Sequence, residues 1–305
     1  MNSVKKILIT GANGLLGQKL IDLYLHQTDK QFLATGVGPC RHPNRCDIAY
    51  QELDITQSDQ VDHVFKTFQP DCVIHTAAMT NVDACETEKA LCDALNVTAV
   101  DYIAKACKTY NTHMVHISTD FIFDGSHGPI DEEEIPCPLS YYGESKLKGE
   151  KIVKTQVPHW AILRTVLVYG VVSDMSRSNI VLWAKSALEK QQPMKVVDDQ
   201  FRTPTLAEDL AMGCLLAEHQ NAQGVFNISG QDFMSIFELV GRVARFFNLN
   251  DTVVTRSSSH TLNQAAKRPP ITGFIIDKAK TILGYKPHSF EEGLALVQSQ
   301  LNQLT

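Results

Sequence analysis

Two side chains four residues apart, Tyr142 and Lys146, have the types and spacing that most directly indicate chemistry. Residues at i and i+4 share one face of a helix, so the phenol and the ammonium would lie together. A free phenol has a pKa of about 10, and a nearby ammonium lowers that pKa by stabilising the phenolate. Tyr142 could then transfer a proton at neutral pH, whereas Tyr141 would point elsewhere.

A hydroxyl group is predicted to complete this pair. The apolar run over residues 114–117 reads as a buried strand, and it ends at Ser118, Thr119 and Asp120. The Thr119 hydroxyl could donate a hydrogen bond to a substrate carbonyl oxygen. These three side chains indicate carbonyl reduction, in which a nicotinamide supplies hydride and Tyr142 protonates the oxygen. Lys146 could also bind the nicotinamide ribose.

The start of the chain predicts a site for the cofactor phosphates. The apolar run Ile7–Ile9 reads as a strand, and three glycines follow it at Gly11, Gly14 and Gly17. Leucines with helical spacing, beginning at Leu15 and Leu16, come next. Strand, glycine turn and helix start together bring backbone N–H groups to a pyrophosphate. The glycine spacing is Gly-x-x-Gly-x-x-Gly rather than Gly-x-Gly-x-x-Gly.

The second predicted strand, residues 31–36, bears on the choice of cofactor. An NAD-binding chain usually has an acid near the end of this strand, to bind the ribose hydroxyls. Here the strand ends at Gly36, and the next acid is Asp47. Arg41 could contact a 2′-phosphate, which favours NADP while leaving NAD possible, or it could be a solvated loop residue.

Two further segments are predicted to lie along the cofactor. Residues 52–55 read as a third short strand. Within it Asp54, before Ile55, could accept a hydrogen bond from the adenine amino group, or it could cap the helix that begins near Ser58. After the fourth predicted strand, the small residues Ala77 and Ala78 would let a cofactor approach the backbone.

Strands alternate with helices through the first half of the chain, which predicts an α/β fold with a doubly wound, Rossmann-like parallel sheet. We expect a cofactor domain over residues 1–170, with strand and helix returns around 194–228. The remainder, 171–305, would be mainly a smaller substrate lobe over the carboxyl ends of the strands. Residues 86–110 read as one long helix, and residues 251–273 read as irregular.

Composition excludes several classes of protein. The chain has 305 residues, is 44% hydrophobic and carries a net charge of −6 without a basic stripe, so a nucleic-acid partner is not expected. No apolar run reaches membrane length, and no signal-peptide pattern is evident. The eight cysteines lack Cys-x-x-Cys spacing and read as reduced thiols of a cytoplasmic protein. No metal site is predicted, and a homodimer is possible.

Taken together, these motifs resemble the dTDP-4-dehydrorhamnose reductase family of the extended short-chain dehydrogenase/reductases. The resemblance rests on the glycine loop at 11–17, Thr80 to Glu86, residues 118–125, and Tyr142 to Glu150. It continues through Leu163 to Thr165, Asp199 to Thr205, and Arg268 with Pro269, and so covers nearly the whole chain. That family reduces the 4-keto group of a nucleotide-linked 6-deoxysugar with NADPH or NADH.

The residues and the resemblance together predict three sets of site residues. The catalytic set is Thr119, Tyr142 and Lys146. The expected cofactor contacts are Gly11, Asn13, Gly14, Leu15, Leu16, Gly17, Arg41, Asp54, Ile55, Ala77, Ala78, Asn96, Tyr142 and Lys146. Asn96 matches a supporting asparagine of the wider superfamily. The expected substrate contacts are Thr80, Val82, Thr119, Asp120, Phe121, Leu167, Asn179, Arg202 and Arg268.

The positions that depart from the family pattern should all lie near the sugar pocket. Val166 and Leu167 replace a frequent Ser-Trp, Phe121 replaces a tyrosine, and Arg202 replaces a glycine. Two alternatives therefore stay open. A nucleotide-sugar dehydratase or epimerase is one, although dehydratases commonly have Asp-Glu after the threonine. A non-catalytic, NADP-binding regulatory subunit similar to methionine adenosyltransferase β is the other.

Overall fold

The computed structural model describes residues 4–176, 178–261 and 265–304. Within those ranges the strands are β1 (Lys5–Thr10), β2 (Lys30–Gly36), β3 (Tyr50–Glu52), β4 (Cys72–His75), β5 (His113–Thr119), β6 (Trp160–Thr165), β7 (Val168–Tyr169), β8 (Met194–Val197), β9 (Phe201–Arg202), β10 (Thr205–Leu206), β11 (Gly224–Asn227), β12 (Met234–Ser235) and β13 (Val254–Ser257).

The α-helices of the same ranges are α1 (Leu15–Tyr24), α2 (Ser58–Phe68), α3 (Val82–Thr87), α4 (Lys89–Asp93), α5 (Ala99–Tyr110), α6 (Tyr141–Gln156), α7 (Ile180–Glu189), α8 (Ala207–His219), α9 (Ile236–Phe246) and α10 (Phe290–Leu304). Short 3₁₀ turns lie at Arg45–Asp47, Asp120–Ile122 and Ser259–Thr261, and π turns at Ala94–Thr98 and Ala279–Leu283.

Seven parallel strands form the central sheet, in the order β11-β6-β5-β4-β1-β2-β3. The chain proceeds from β1 to one edge and then returns to β4 on the other side. The strand order therefore reverses between β1 and β4, which is where such sheets open a crevice at their carboxyl ends. The predicted doubly wound parallel sheet is confirmed.

Alternation of side chains along the strands builds a core on each face. Ile7 and Ile9 of β1 are fully buried in the cluster that α1 and α8 cover. Leu8, between them, is fully buried in the cluster that α2, α5 and α6 cover. Because both faces are covered, the strands are apolar at consecutive positions, as parallel strands usually are.

A second core lies in the later part of the chain. It is formed by apolar residues of α7, α9 and α10 with those of β8, including Leu188, Val196, Leu239 and Leu294. By contrast, β11 joins the central sheet and α8 packs on α1, so these later elements belong to the first core. The domain boundaries proposed from the sequence stay a prediction. Within the described residues, no helix combines the length and apolarity that crossing a bilayer requires.

Three sequence predictions of local structure are wrong. The single helix expected over 86–110 is divided, because Glu88 leaves helical geometry (φ −115°) and a π turn precedes α5. The segment expected to be irregular contains β13, which pairs in parallel with β8. The third strand is Tyr50–Glu52 rather than 52–55. For β3 and β13, pairing with a neighbouring strand decides the local geometry.

A buried ion pair fixes α6 against the sheet. Arg164 on β6 donates to both carboxylate oxygens of Glu150, at 3.0 and 2.9 Å, and neither side chain is more than 2% exposed. Burial raises the pKa of the Glu150 carboxyl, but Arg164 outweighs it, so that pKa ends below its ordinary value. The pair therefore stabilises the fold above the unfolded carboxyl pKa, and this contribution is lost as the pH falls through the lower folded value.

Arg164→Met should destabilise the protein by about 3–5 kcal/mol, because it leaves a buried carboxylate without its partner. The measurement is urea-induced unfolding at neutral pH. Lys154→Met is the matched control, since Lys154 contacts the same carboxylate from a partly exposed position; it should cost less than about 1 kcal/mol. Equal effects of the two variants would contradict the assigned role of Arg164.

Candidate active site

A cavity of about 840 Å³ lies at the carboxyl ends of the central strands. It runs from the turn after β1, past the ends of β4 and β5, to the loops that follow β6. The predicted site residues that line it are Gly11, Asn13, Gly14, Leu15, Leu16, Gly17, Arg41, Asp54, Ile55, Ala77, Ala78, Thr80, Val82, Thr119, Asp120, Phe121, Tyr142, Lys146, Leu167, Asn179 and Arg202.

The glycine turn at one end has the form of an anion site. Gly11 has φ +71°, and a Cβ there would lie 2.7 Å from the backbone nitrogen of Ala77. A Cβ at Gly17 would lie 2.3 Å from the carbonyl oxygen of Gly11. Gly14 caps α1 without a side-chain acceptor, so the first N–H groups of that helix face the cavity end. This cradle fits a dinucleotide pyrophosphate.

Asn13 organises the loop that carries Arg41. Its amide nitrogen donates to Pro39 O at 3.0 Å, and its oxygen accepts from the Arg41 backbone N–H at 2.9 Å. The Arg41 guanidinium is half exposed and stands 3.9 Å from the Asp174 carboxylate, across the mouth of the cavity. Asn13 therefore positions the residue that was predicted either to contact a 2′-phosphate or to be a solvated loop residue.

Asp54 does not cap α2, although the sequence left that role open. Its carboxylate accepts from the backbone N–H of Thr56 at 2.9 Å and from the Thr56 hydroxyl at 2.7 Å. The residue before α2 is Gln57, which makes no side-chain cap. Asp54 lines the cavity beside Ile55, so the contact to adenine stays a prediction.

Helix α6 brings Tyr142 and Lys146 to the end of β5. The helix begins behind Ser140, whose hydroxyl accepts from Gly143 N–H at 3.2 Å. A Cβ at position 143 would lie 2.1 Å from the Phe121 carbonyl oxygen, so only glycine permits this approach. Lys146 donates to the Ile117 carbonyl oxygen at 2.7 Å. Burial lowers the pKa of its ammonium to about 8.

The Tyr142 phenol differs from the sequence expectation. Burial raises its pKa above the ordinary value, the nearby Thr119 hydroxyl opposes this rise, and the negative charge of Asp120 adds to it. Lys146 was expected to lower this pKa, but its ammonium is bonded to the backbone. In the structure described, the phenol therefore keeps its proton at neutral pH, which is the state that a general acid requires.

The wall beyond Tyr142 is aromatic and aliphatic. The rings of Phe121 and Tyr142 meet edge to face, with centroids 5.7 Å apart. Leu167 lines the cavity with φ +42°, a left-handed conformation that is unusual for a bulky residue. Asn179 caps α7 and donates to Gly170 O at 2.7 Å, so its amide also holds the loop of this wall.

Arg202 is buried in the wall of the cavity rather than free at its surface. Its guanidinium donates to Pro269 O at 2.6 Å and to Pro270 O at 3.0 Å, and only 3% of the side chain is exposed. These prolines belong to residues 265–275, which we call the crossing segment because it spans the ends of the central strands.

Two predicted contacts lie elsewhere. Among the described residues, neither Asn96 nor Arg268 lines the cavity. Asn96 instead clamps the Met79 backbone, accepting from its N–H at 2.9 Å and donating to its carbonyl at 3.0 Å. Arg268 binds the Asp83 carboxylate at 2.6 Å. Both side chains therefore hold loops beside the cavity.

Several lining residues were not singled out from the sequence. Thr165, Val172, Ser178 and Leu210 reach the cavity from β6, the loops after β7 and the start of α8. Thr165 lies within the family-like Leu-Arg-Thr run, which could have indicated it. The other three carry no local motif, and long-range packing alone brings them there.

Comparison with known proteins places this geometry in a family. A model of the RmlD substrate binding domain matches residues 5–303. Methionine adenosyltransferase 2 subunit beta of Rattus norvegicus is 32% identical over 250 residues, covering 80% of this chain and 73% of that protein. The dTDP-4-dehydrorhamnose reductase of Aggregatibacter actinomycetemcomitans is 29% identical over 306 residues, covering 96% and 98%.

A solved structure agrees with both the fold and the family. The dTDP-4-dehydrorhamnose reductase of Bacillus anthracis, in complex with NADP, superposes with a TM-score of 0.83 at 28% identity, covering 97% of this chain and 99% of that one. Since the family model spans almost the whole chain, the protein belongs to the dTDP-4-dehydrorhamnose reductase (RmlD) family of extended short-chain dehydrogenase/reductases, a family of NAD(P)-dependent oxidoreductases.

Proposed function

We propose that this protein uses NAD(P)H to reduce the 4-keto group of a nucleotide-linked 6-deoxysugar. The observation that carries the proposal is the cavity itself, which has the glycine cradle at one end and Thr119, Tyr142 and Lys146 at the other. A dinucleotide seated on the cradle would extend toward the phenol, and a sugar carbonyl would lie between them.

Each side chain of the site would have a distinct role in the reduction. When bound, the reduced nicotinamide supplies the hydride for the carbonyl carbon. Tyr142 donates its phenol proton to the oxygen, and burial keeps that proton in place until then. The Lys146 ammonium, held at Ile117 O, would bind the nicotinamide ribose. Thr119 lines the same cavity, and its hydroxyl is predicted to donate to the sugar carbonyl oxygen.

NADPH is the preferred cofactor in this proposal, and NADH is possible. The support is the Arg41 guanidinium, which Asn13 holds at the cavity mouth, together with the NADP complex of the Bacillus anthracis relative. No acid follows β2 at the position where one would bind ribose hydroxyls and repel a 2′-phosphate.

The sugar is proposed only as a class. Phe121, Leu167 and Arg202 all line the cavity, and they are the positions that depart from the family pattern. We take dTDP-4-dehydro-6-deoxy-L-mannose as the first test substrate because the named reductase relatives support it. A cytoplasmic location and a homodimer stay expectations.

A regulatory role is the second candidate. Its support is the identity to methionine adenosyltransferase 2 subunit beta, at 32% over 80% of this chain. A regulatory subunit would bind NADP without turning over any 4-keto sugar nucleotide. A dehydratase or epimerase has less support, since Asp120 is followed by Phe121 and its carboxylate is already bonded to Thr119 and Thr272.

Tyr142→Phe should reduce turnover of dTDP-4-dehydro-6-deoxy-L-mannose by about 10² or more, because it removes the proton donor. The measurement is the loss of NADPH absorbance. Tyr141→Phe is the matched control, since the Tyr141 hydroxyl is bonded to Asp93 instead; it should stay close to wild type. Absent turnover with intact NADP binding would favour the regulatory role, and undiminished turnover by Tyr142→Phe would exclude the assigned acid.

Arg41→Ala should raise the KM for NADPH about 10- to 100-fold, the loss expected for one hydrogen-bonded charge pair. The KM for NADH should stay near the wild-type value. Steady-state kinetics with both cofactors measure this, and Arg45→Ala, a nearby exposed arginine, serves as control. Parallel changes for NADPH and NADH would show that Arg41 does not read the 2′-phosphate.

The pH dependence of kcat/KM for the reduction should reflect the ionisation of the Lys146 ammonium. Its ammonium has a pKa near the working range, about 8, so kcat/KM should fall as the pH rises through that value. Lys146→Arg should be less active at every pH but should lack this alkaline decline, because a guanidinium stays charged. If the arginine variant showed the same alkaline decline in kcat/KM, that decline would belong to the ionisation of another group.

A further inference from the structure

Asp174 places a carboxylate beside the cation that we expect to bind a 2′-phosphate. The residue lies in the loop between β7 and α7, and one of its carboxylate oxygens is 3.9 Å from a terminal nitrogen of the Arg41 guanidinium. That separation is longer than a hydrogen bond. Among the residues that the structure describes, the guanidinium donates a hydrogen bond to none. Its N–H groups are therefore available to an anionic ligand.

The loops that carry both charges are held by residues of the glycine cradle. Asn13, within the turn, accepts from the Arg41 backbone N–H at 2.9 Å. Gln18, in the first turn of α1, accepts from the Ser173 backbone N–H at 3.0 Å, and only 1% of Gln18 is exposed. Both loops are thus positioned relative to the same phosphate site. The acid and the base lie together at the cofactor end of the cavity.

The Asp174 carboxylate is oriented and ionised. Its Oδ1 accepts from the Ser176 backbone N–H at 3.1 Å and from the Ser176 hydroxyl at 2.6 Å. These hydrogen bonds hold the pKa of the carboxyl below its ordinary value, so the group is charged at neutral pH. The other oxygen, Oδ2, is the one nearest Arg41. A negative charge is therefore fixed beside the guanidinium.

The two nicotinamide cofactors would interact differently with this pair. The 2′-phosphate of NADPH carries a charge of about −1.5 to −2 at pH 7, so Arg41 would attract it and Asp174 would repel it. NADH has a hydroxyl in its place, which is not repelled and can donate to a carboxylate. An NAD-binding chain usually has an acid at the end of the second strand for that purpose. Here β2 ends at Gly36 without one.

We propose that Asp174 is a specificity-determining residue that weakens the binding of NADPH relative to NADH. It supplies, from the loop after β7, the acid that is absent from the end of β2. This inference rests on the proposed function, in which Arg41 binds the 2′-phosphate of NADPH. Arg41 favours one cofactor and Asp174 opposes that preference, so the pair lets the cavity accept both.

Asp174→Asn should lower the Kd for NADPH about 3- to 10-fold, the effect of one unit charge a few ångströms away at an exposed site. The Kd for NADH should be unchanged or higher, because no repulsion is relieved and a charged acceptor is lost. Asparagine can keep the hydrogen bonds from Ser176 through its amide oxygen, so the loop is retained. The measurement is a fluorescence titration of each reduced cofactor at low ionic strength, without a sugar nucleotide.

Two control variants and a change of salt test whether charge is the cause. Asp174→Glu keeps the charge and should bind both cofactors with wild-type affinity. Asp251→Asn removes an exposed carboxylate from the turn before β13 and should do the same. In about 1 M salt, where the Debye length is about 3 Å, the difference between Asp174→Asn and wild type should shrink. A difference caused only by loop geometry would persist.

The role of Asp174 is overturned if Asp174→Asn binds NADPH no more tightly than wild type, or if its affinities for NADPH and NADH rise equally. A gain in NADPH affinity that Asp174→Glu shares would overturn it as well. If Arg41→Ala weakened NADPH binding while Asp174→Asn did not strengthen it, the role of Asp174 alone would fail. Because no sugar nucleotide is needed, a protein that reduces none would refute the proposed reaction and leave this result standing.

Discussion

The close approach of α6 to the end of β5 is the constraint on which the candidate site depends. At Gly143 the helix backbone lies so near the Phe121 carbonyl that no Cβ fits. This contact sets Tyr142 beside Thr119 and lets Lys146 reach the Ile117 carbonyl. The ion pair between Arg164 and Glu150 anchors the same helix to the sheet a few residues further along. The position of the Tyr142 side chain is therefore determined first by backbone packing, and electrostatic interactions act on it in that position.

Burial then decides the protonation states. It holds the phenol of Tyr142 neutral, and it lowers the pKa of the Lys146 ammonium toward neutral pH. A site built for reduction needs its acid loaded before substrate arrives, and desolvation supplies that condition without a dedicated partner. Two buried carboxylates near α6 have arginine partners: Glu150 with Arg164, and Asp120 with Arg202. These pairings help to offset the cost of burying the charges.

Local pattern was enough to predict the sheet, the glycine cradle and the positions of Thr119, Tyr142 and Lys146. These features depend on neighbours close in sequence, namely strand periodicity, a turn that needs glycine and an i, i+4 spacing. Arg202 was less predictable, because its burial depends on the Pro269 and Pro270 carbonyls some 67 residues later. The contacts of Asn96 and Arg268 likewise depend on residues that are distant in sequence. Their side chains are occupied by backbone or acids that no local pattern reveals.

The two ends of the cavity also differ in which parts of the chain form them. The cradle for the cofactor phosphates is formed by the turn after β1 and the residues that follow β4. The surroundings of Asp120, however, require Thr272 and the carbonyls that hold Arg202, all from the crossing segment. The residues of the cradle are thus close together in sequence, whereas the reactive end brings together residues that are far apart along the chain.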